Sequence, residues 1–263
     1  MDEITRYNLE RWKALAEANA LFTRPALNLD PLAARKRIDP EGRLGNVASK
    51  EVLCLASGGG QQSAAFALLG ARVTVFDLSE DQLRRDQEAA AHYGVHVRTL
   101  QGDMRDLSCF KESVFDIVYH PYSLGFVPDA RAIFQQVAHV ICPGGLYYFN
   151  CANPFFVGLT VKDWNGEGYT LKQPYIDGAE VTYEDQAWVY DRDKVDSPIL
   201  CPREYRHTLS TLVSSLVELG FAIVHVADYV DLYPDSKAEP GTWEHFVLVA
   251  PPWLSFLASY HSR

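Results

Sequence analysis

Val52-Leu-Cys-Leu-Ala-Ser-Gly-Gly-Gly-Gln-Gln-Ser63 and Ala71-Arg-Val-Thr-Val-Phe-Asp-Leu78 are the two stretches that decide the fold of this chain. The first is a short apolar run that ends in three glycines and then turns helical, and the second is an apolar run that ends in Asp77. Glycines after one strand let a ligand approach the backbone, and an acid after the next strand can accept hydrogen bonds from a ribose diol. The pattern predicts a nucleotide-type site at the carboxyl edge of a parallel sheet.

Strands and helices alternate in the pattern from Glu51 to Asn150. We predict strands over Val52–Ala56, Val73–Asp77, Val95–Leu100, Phe115–His120 and Leu146–Asn150, and helices over Gln61–Leu69, Glu80–Tyr93 and Asp129–Val140. Ser79 is placed to cap the start of the second helix and Gly94 to end it. Near-continuous apolar strands between helices imply a parallel sheet that is covered on both faces.

The segments before Glu51 and after Asn150 do not continue this alternation of strands and helices. An amphipathic helix is predicted from about Ile4 to Leu21, a further helix from Pro202 to Gly220, and two final strands over Phe221–Tyr229 and His245–Ala250. The resulting division has an N-terminal helical lid (1–45), an α/β core (46–150 and 204–250), a late insertion (151–203) and a C-terminal tail (251–263).

Composition narrows the classes of partner. The 263 residues include 34 acidic and 24 basic side chains, a net charge of −10, which argues against a nucleic acid or an anionic membrane surface. Five cysteines without a CxxC pair indicate reduced thiols, and no metal site is expected. The start Met-Asp-Glu does not resemble a secretory signal, and the apolar run Phe246–Phe256 is too short to span a bilayer. We expect a cytoplasmic protein that acts on a small molecule, with its oligomeric state left open.

The two stretches resemble the class I S-adenosylmethionine-dependent methyltransferases, well over about residues 50–150 and loosely over 204–250. The resemblance implies a doubly wound, mostly parallel sheet of seven strands, the Rossmann-like methyltransferase fold, which ends with an antiparallel strand. It also implies transfer of a methyl group from S-adenosylmethionine to an acceptor, which we expect to be a small organic molecule. In this fold the insertion would face the substrate.

The glycine loop departs from the pattern of that family. An acid and three glycines at alternate positions are expected, and this chain has Cys54, Ala56, Gly58 and Gly60 there. The loop can still cradle the methionine end of the cofactor because Gly58 and Gly60 carry no side chain. The missing acid removes one group that would hold the amino group of the ligand. The candidates to replace it are Gln61, Gln62 and Ser63.

Two further pairs of residues are expected at the cofactor. By resemblance, Asp77, followed by Leu78, accepts hydrogen bonds from both ribose hydroxyls, although an acid there can also interact with the dipole of the next helix. Asp103 would accept from the exocyclic amine of adenine, and the backbone N–H of Met104 would reach the ring. An acid one strand after Asp77 is the feature that best separates a methyl donor from a nicotinamide cofactor.

His120 ends the fourth predicted strand, beside the transferable methyl group in related enzymes. It is a candidate general base because its reference pKa is near neutrality, or it simply packs against or hydrogen-bonds to the cofactor. His207 is a second candidate base. Aromatic side chains of the insertion could line a substrate cavity or pack as a small core: Trp164, Tyr169, Tyr175, Tyr183, Trp188 and Tyr190.

Two other classes of function remain open at this point. Gly58-x-Gly60-x-x-Ser63 approximates the dinucleotide fingerprint of an NAD(P)-dependent oxidoreductase, but it lacks the third Gly or Ala and leaves Gly102-Asp103-Met104 unexplained. The missing acid at Cys54 is the only support for a protein that binds S-adenosylmethionine without catalysis. Methyl transfer needs mainly proximity, orientation and a dry pocket, so no fixed catalytic triad is expected.

Overall fold

The computed structural model describes residues 1–183, 191, 198–228, 232 and 234–262. The main sheet has seven strands: β1 Glu51–Leu55, β2 Arg72–Asp77, β3 Val97–Gln101, β4 Phe115–His120, β5 Ile141–Ala152, β8 Phe221–Ala227 and β9 Trp253–Tyr260. Their order across the sheet is β3-β2-β1-β4-β5-β9-β8. A separate antiparallel pair consists of β6 Glu180–Thr182 and β7 Arg203–Tyr205. The helices are α1 Glu3–Glu17, α2 Pro31–Ile38, α3 Gln62–Leu68, α4 Glu80–Tyr93, α5 Ala130–Val140, α6 Leu209–Glu218 and α7 Trp243–Val249.

The direction of the strands confirms the predicted fold class. Strands β3, β2, β1, β4 and β5 are mutually parallel, while β9 runs antiparallel to both of its neighbours, β5 and β8. The caps of α4 are also as predicted: the side chain of Ser79 accepts from the backbone of Gln82, and Gly94 takes a left-handed conformation with φ of 65°. The five strands of the α/β pattern therefore end at one carboxyl edge.

The prediction for the end of the chain is wrong in one respect. His245–Ala250, predicted as a strand, lies mostly in helix α7, whose N-cap Thr242 accepts from the backbone N–H of His245 at 3.2 Å. The antiparallel strand is instead β9, from residues that the sequence division assigned to a tail. A short apolar run such as Phe246–Ala250 fits a buried helix and a strand equally well, so periodicity alone could not decide between them.

Two other boundaries differ from the predictions. The helix predicted from Pro202 begins only at Leu209, because Arg203–Tyr205 pair with β6. Helix α2 was not predicted, since the prolines around it were interpreted only as breaks. Pro31 occupies its first turn, where a missing N–H costs nothing, and Asp30 caps it by accepting from the backbone of Ala33 at 2.7 Å.

The core lies in two layers, one on each face of the sheet. Leu53 and Leu55 of β1 belong to the layer that contains α5 and α6, and Val52 and Cys54 to the layer with α2 and α3. All four side chains are fully buried. Alternate residues of β1 thus face different helices, which is why the strand is apolar throughout rather than at every second position.

Two global features concern the described ranges only. None of the helices there is long and apolar enough to cross a membrane. All five cysteines fall within these ranges, and all are free thiols.

Candidate active site

Asp77 joins the glycine loop to the start of helix α4. Its Oδ2 accepts the backbone N–H of Gly58 at 2.8 Å, and its Oδ1 accepts that of Ser79 at 2.8 Å. A Cβ on Gly58 would lie 2.6 Å from the Cβ of Gln82 and 3.1 Å from the Asp77 carboxylate, so the position requires glycine. Burial raises the pKa of Asp77, and the backbone N–H groups around it oppose that shift.

Asp86, which the sequence analysis did not single out, holds the rest of the loop. It is fully buried on helix α4 and accepts the backbone N–H groups of Gly59 and Gly60, each at 3.0 Å. The hydroxyl of Ser63 donates to the same carboxylate. Burial raises the pKa of Asp86 to about 7, and the negative charge of Asp77 adds to this effect.

The charge of Asp86 also reaches Cys54, the position where an acid was expected. Burial raises the pKa of the Cys54 thiol, and the nearby Asp86 carboxylate raises it further. The thiol therefore stays neutral, as a small buried side chain should. Position 54 of β1 therefore carries no carboxylate, but Asp86 of α4 contributes one beside the same loop.

Three successive N–H groups of the loop thus point at carboxylates. A dinucleotide pyrophosphate needs free N–H donors at this turn, but here the carboxyl groups of Asp77 and Asp86 already accept them. A cofactor without phosphates, with a cationic methionine end and a ribose diol, fits the loop. Each oxygen of Asp77 accepts one backbone N–H, Oδ2 from Gly58 and Oδ1 from Ser79, and retains acceptor capacity for ribose hydroxyls. The residues present therefore fit S-adenosylmethionine, with Gly58, Asp77 and Asp86 as the groups around it.

Gln61 does not face an open site. Its Nε2 donates to the carbonyls of Phe22 and Arg24, both at 3.0 Å, and the N–H of Ala26 donates to the Gly60 carbonyl at 3.1 Å. The segment after α1 is thereby fixed over the glycine loop. The backbone of Gln61 is in the loop as expected, but its side chain holds this covering segment.

Ala56, Gln62 and Leu78 lie around the same loop. Ala56 has a φ of 45°, in the left-handed region that favours glycine, and its N–H donates to the Phe76 carbonyl at 2.7 Å. Gln62 is the half-buried first residue of α3. Leu78 is half-buried, and its carbonyl accepts from Gln101 Nε2 at 3.0 Å. These positions agree with a role for backbone atoms in holding the cofactor, which stays a prediction.

Asp103 is tied to the N-terminal helix. Its Oδ2 lies 2.6 Å from Nη2 of Arg105 and accepts from the Thr5 hydroxyl at 2.9 Å, and Arg105 also pairs with Asp2 at 2.7 Å. Burial alone would raise the pKa of Asp103, but the hydrogen bonds from Arg105 and Thr5 outweigh it and hold the pKa below its usual value. The side chain of Met104 is buried in the core. The expected adenine end of the site therefore adjoins α1.

Helix α1 spans the carboxyl edge from the loop after β3 to the loop after β4. The side-chain amide of Asn8 donates to the Phe126 carbonyl at 3.0 Å, and the ring of Trp12 packs edge-on against Phe126 at 5.6 Å. On its other side, Tyr7 donates to the carbonyl of Cys201 at 2.8 Å. Helix α1 and residues 198–205 contact each other over the site, which is the position expected of a lid.

His120 lies at the end of β4 and is fully buried. Its Nδ1 is 2.9 Å from the hydroxyl of Tyr147, and its Nε2 has no partner among the described residues. Burial, with a smaller contribution from nearby His207, lowers the pKa of His120 to about 3. A protonated form of this imidazole is therefore strongly disfavoured.

The aromatic residues of the insertion have different surroundings, and they do not line one common cavity among the described residues. Trp164 and Tyr169 pack against His245 of α7, with ring centroids 4.9 and 5.9 Å from it, so they form a small core. Tyr175 is partly exposed and stacks on Phe155 at 5.2 Å. Trp188 and Tyr190 lie outside the described residues. For Tyr183, the hydroxyl donates to Glu204 at 2.6 Å.

Comparison with known proteins decides the family of the core. Residues 53–149, from β1 to β5, match the family model of the methyltransferase domain. This core is a methyltransferase domain, and its sheet has the fold of the class I, S-adenosylmethionine-dependent methyltransferases. The match includes the glycine loop, Asp77, Asp103 and His120.

Relatives of the methyltransferase extend the likeness beyond the core. It is 27% identical over 215 residues to an uncharacterized methyltransferase of Bacillus subtilis (strain 168), with 81% of each chain covered. It is 31% identical to the ubiquinone biosynthesis O-methyltransferase of Pseudomonas syringae pv. tomato, over 58% of this chain and 66% of that one. The solved structure of an S-adenosylmethionine-dependent methyltransferase from Mesorhizobium loti superposes with a TM-score of 0.59 at 21% identity, covering 89% and 100% of the two chains. At 21% identity, the similarity to the Mesorhizobium loti structure shows a shared fold.

Proposed function

We propose that the protein transfers a methyl group from S-adenosylmethionine to a small organic acceptor held beneath α1 at the carboxyl end of β4. The observation that carries this proposal is the direction of the N–H groups of Gly58, Gly59 and Gly60, which point at Asp77 and Asp86. When bound, the cofactor supplies an activated methyl group. The protein's own residues orient the two substrates and exclude water.

The alternatives fit the site less well. An NAD(P)-dependent oxidoreductase would place a pyrophosphate against two carboxylates. A protein that only binds the cofactor gives no reason for the unpartnered polar atoms of His120, Ser123 and His207 beyond β4. An oxygen acceptor is favoured by the similarity to a ubiquinone biosynthesis O-methyltransferase. The net charge of −10 disfavours a nucleic acid acceptor, because that affinity rests largely on neutralised phosphates.

The test is formation of S-adenosylhomocysteine from S-adenosylmethionine in the presence of sets of phenols, catechols, amines, thiols and RNA. We expect turnover with a small organic acceptor and none with RNA. A variant that lacks residues 1–19 should lose methyl transfer more than cofactor binding, because the lid completes the pocket. Turnover that requires RNA, or full activity after the truncation, would contradict the proposal.

A further inference from the structure

Unpartnered polar atoms collect where strand β4 ends. Among the described residues they include Nε2 of His120, Oγ of Ser123 and Nδ1 of His207, and all three residues are buried. His207 follows β7 in the chain, but its Nε2 lies 3.0 Å from the carbonyl of Leu124, the residue after Ser123. Buried polar groups in folded proteins nearly always have hydrogen-bond partners. This concentration therefore indicates a polar ligand that completes the missing bonds.

The contact with Leu124 fixes the tautomer of His207. A carbonyl oxygen can only accept, so Nε2 of His207 must carry the proton that it donates. In the neutral imidazole the other nitrogen, Nδ1, is then a free lone pair. Only 4% of His207 is exposed, so that lone pair faces the interior of the protein rather than bulk water.

We propose that His207 is the base of this methyltransferase and that the acceptor presents a hydroxyl group to its Nδ1. The inference rests on the proposed function and deepens it by naming the acceptor chemistry. The acceptor oxygen forms the bond to the methyl carbon, and the carbon–sulfur bond breaks with its electron pair remaining on sulfur. The hydroxyl proton passes to Nδ1, so the positive charge of the sulfonium ends on the imidazole of His207.

A lone pair of this kind matches a hydroxyl better than other nucleophiles. A hydroxyl oxygen that gains a methyl group while it keeps its proton becomes a strongly acidic oxonium, so a base must remove the proton as the bond forms. A thiol ionises near pH 8.5 without much help. A neutral amine attacks with its own lone pair and can lose its proton afterwards.

The surroundings of His207 suit this role better than those of His120. Burial lowers the pKa of His207, but the carbonyls of Leu124 and Val127 and the carboxylates of Asp177 and Asp129 act in the opposite direction. The two carboxylates also line an open surface groove, where the proton can leave to solvent.

His120 has no such support. Its described partner is the Tyr147 hydroxyl, which permits either tautomer, and its pKa is lowered to about 3. The guanidinium of Arg206, beside His207 in the chain, donates to the carbonyls of Pro154 and Val157. Its charge is thus paired with backbone dipoles rather than directed at either imidazole.

The first test uses the ligand-free protein and needs no acceptor. Proton–nitrogen correlation spectra of the histidine rings, assigned by the signal that His207→Gln removes, should show His207 at pH 7 as neutral, with Nε2 protonated and Nδ1 bare. The signal should titrate below pH 6.5, because burial lowers the pKa. A proton on Nδ1 at pH 7, or a charged ring, would overturn the proposal.

The second test measures methyl transfer to a series of substituted phenols and catechols of decreasing hydroxyl pKa. His207→Gln retains an amide that can donate to the Leu124 carbonyl but has no basic nitrogen. It should lower kcat roughly 10²–10⁴-fold for weakly acidic hydroxyls, and the loss should shrink as the acceptor becomes more acidic. Calorimetry should give the same dissociation constant for S-adenosylhomocysteine in both proteins. His139→Gln, on α5 beside Glu112, is the control and should behave as the wild type.

Several results would contradict this assignment. One is a decrease in kcat of His207→Gln that is the same for all acceptors. Another is a decrease in kcat that depends on the hydroxyl pKa in His120→Gln but not in His207→Gln. The third is methylation of amines or thiols by the wild type without methylation of any hydroxyl. Failure of the wild type to bind S-adenosylhomocysteine would instead contradict the proposed function. If His207→Gln does not fold, the spectra of the wild type, assigned through His207→Asn, still decide the matter.

Discussion

Asp86 accepts the backbone N–H of Gly60 at 3.0 Å, although 26 positions separate the two residues. The bond connects the middle of helix α4 with the loop after β1. A Cβ on Gly60 would come within 2.5 Å of the Arg85 carbonyl, so the loop approaches the helix backbone closely at this point. Helix α4 thereby holds the backbone of the glycine loop in its conformation through Asp86.

Asp86→Asn should destabilise the protein by about 1–3 kcal/mol, the cost of leaving a buried N–H donor without an acceptor. An amide offers one acceptor oxygen in place of two, and its NH₂ group would face an N–H donor of Gly59 or Gly60. Denaturant unfolding measures the loss. Glu88→Gln, an exposed change on the same helix, is the control and should be neutral within about 0.5 kcal/mol. Equal stability of the two variants would contradict the role given to Asp86.

The same carboxyl predicts a dependence of stability on pH. Its pKa is about 7 in the folded protein and near 3.9 in an unfolded chain, so the folded state binds the proton more tightly. The stabilisation from this group is complete below about pH 4 and is lost as the pH rises to about 7. The free-energy difference between wild type and Asp86→Asn, from unfolding curves between pH 5 and pH 8, should therefore decrease with pH. A constant difference would show that the carboxyl is already ionised at pH 5.

Asp77→Ala should weaken binding of S-adenosylhomocysteine by roughly 1.5–3 kcal/mol, about 10- to 100-fold in the dissociation constant. The variant should also melt earlier, since Asp77 anchors Gly58 and Ser79. Glu80→Gln removes another acid from the first turn of α4 without touching the loop and should bind normally. If Asp77→Ala bound as tightly as wild type and only melted earlier, its role would be limited to the helix and the loop.

Thr5→Val should loosen the lid without removing it. The change deletes the hydroxyl that donates to Asp103 at 2.9 Å, so the amides of α1 should exchange hydrogen faster, by about tenfold for each 1.4 kcal/mol lost. Methyl transfer should fall more than cofactor affinity. Lys13→Gln, a largely exposed change on α1, serves as the control. Unchanged exchange rates in Thr5→Val would show that the hydrogen bond between Thr5 and Asp103 does not stabilise α1.

The sequence predicted those parts of the site that depend on local pattern. Gly58 and Asp77 each follow an apolar run, and parallel strands bring such positions to one edge. Asp86 was missed because an acid inside a charged helix is usually solvated. A signal existed, since Asp86 shares its face with the buried residues Leu83, Ala89 and Ala90. An acid within a buried stripe needs a partner, and only the fold could show that the partner is a glycine loop.

The position of His207 and the last strand were harder to predict for a different reason. His207 reaches Leu124 across 83 positions, a contact that no local pattern encodes. The confusion of α7 with a strand arose because Thr242, its cap, stands one residue after Gly241 in what looked like a loop. In both cases tertiary packing, rather than propensity, selects the structure.

The most direct test of the account is calorimetry of the protein with S-adenosylhomocysteine and, in parallel, with NAD and NADP. Two carboxylates at the N–H groups of Gly58, Gly59 and Gly60 favour a ligand with a diol and a cationic end and oppose a pyrophosphate. We predict saturable binding of S-adenosylhomocysteine with a raised melting temperature, and no binding of either dinucleotide. Binding of NAD or NADP by a protein indifferent to S-adenosylhomocysteine would contradict the account.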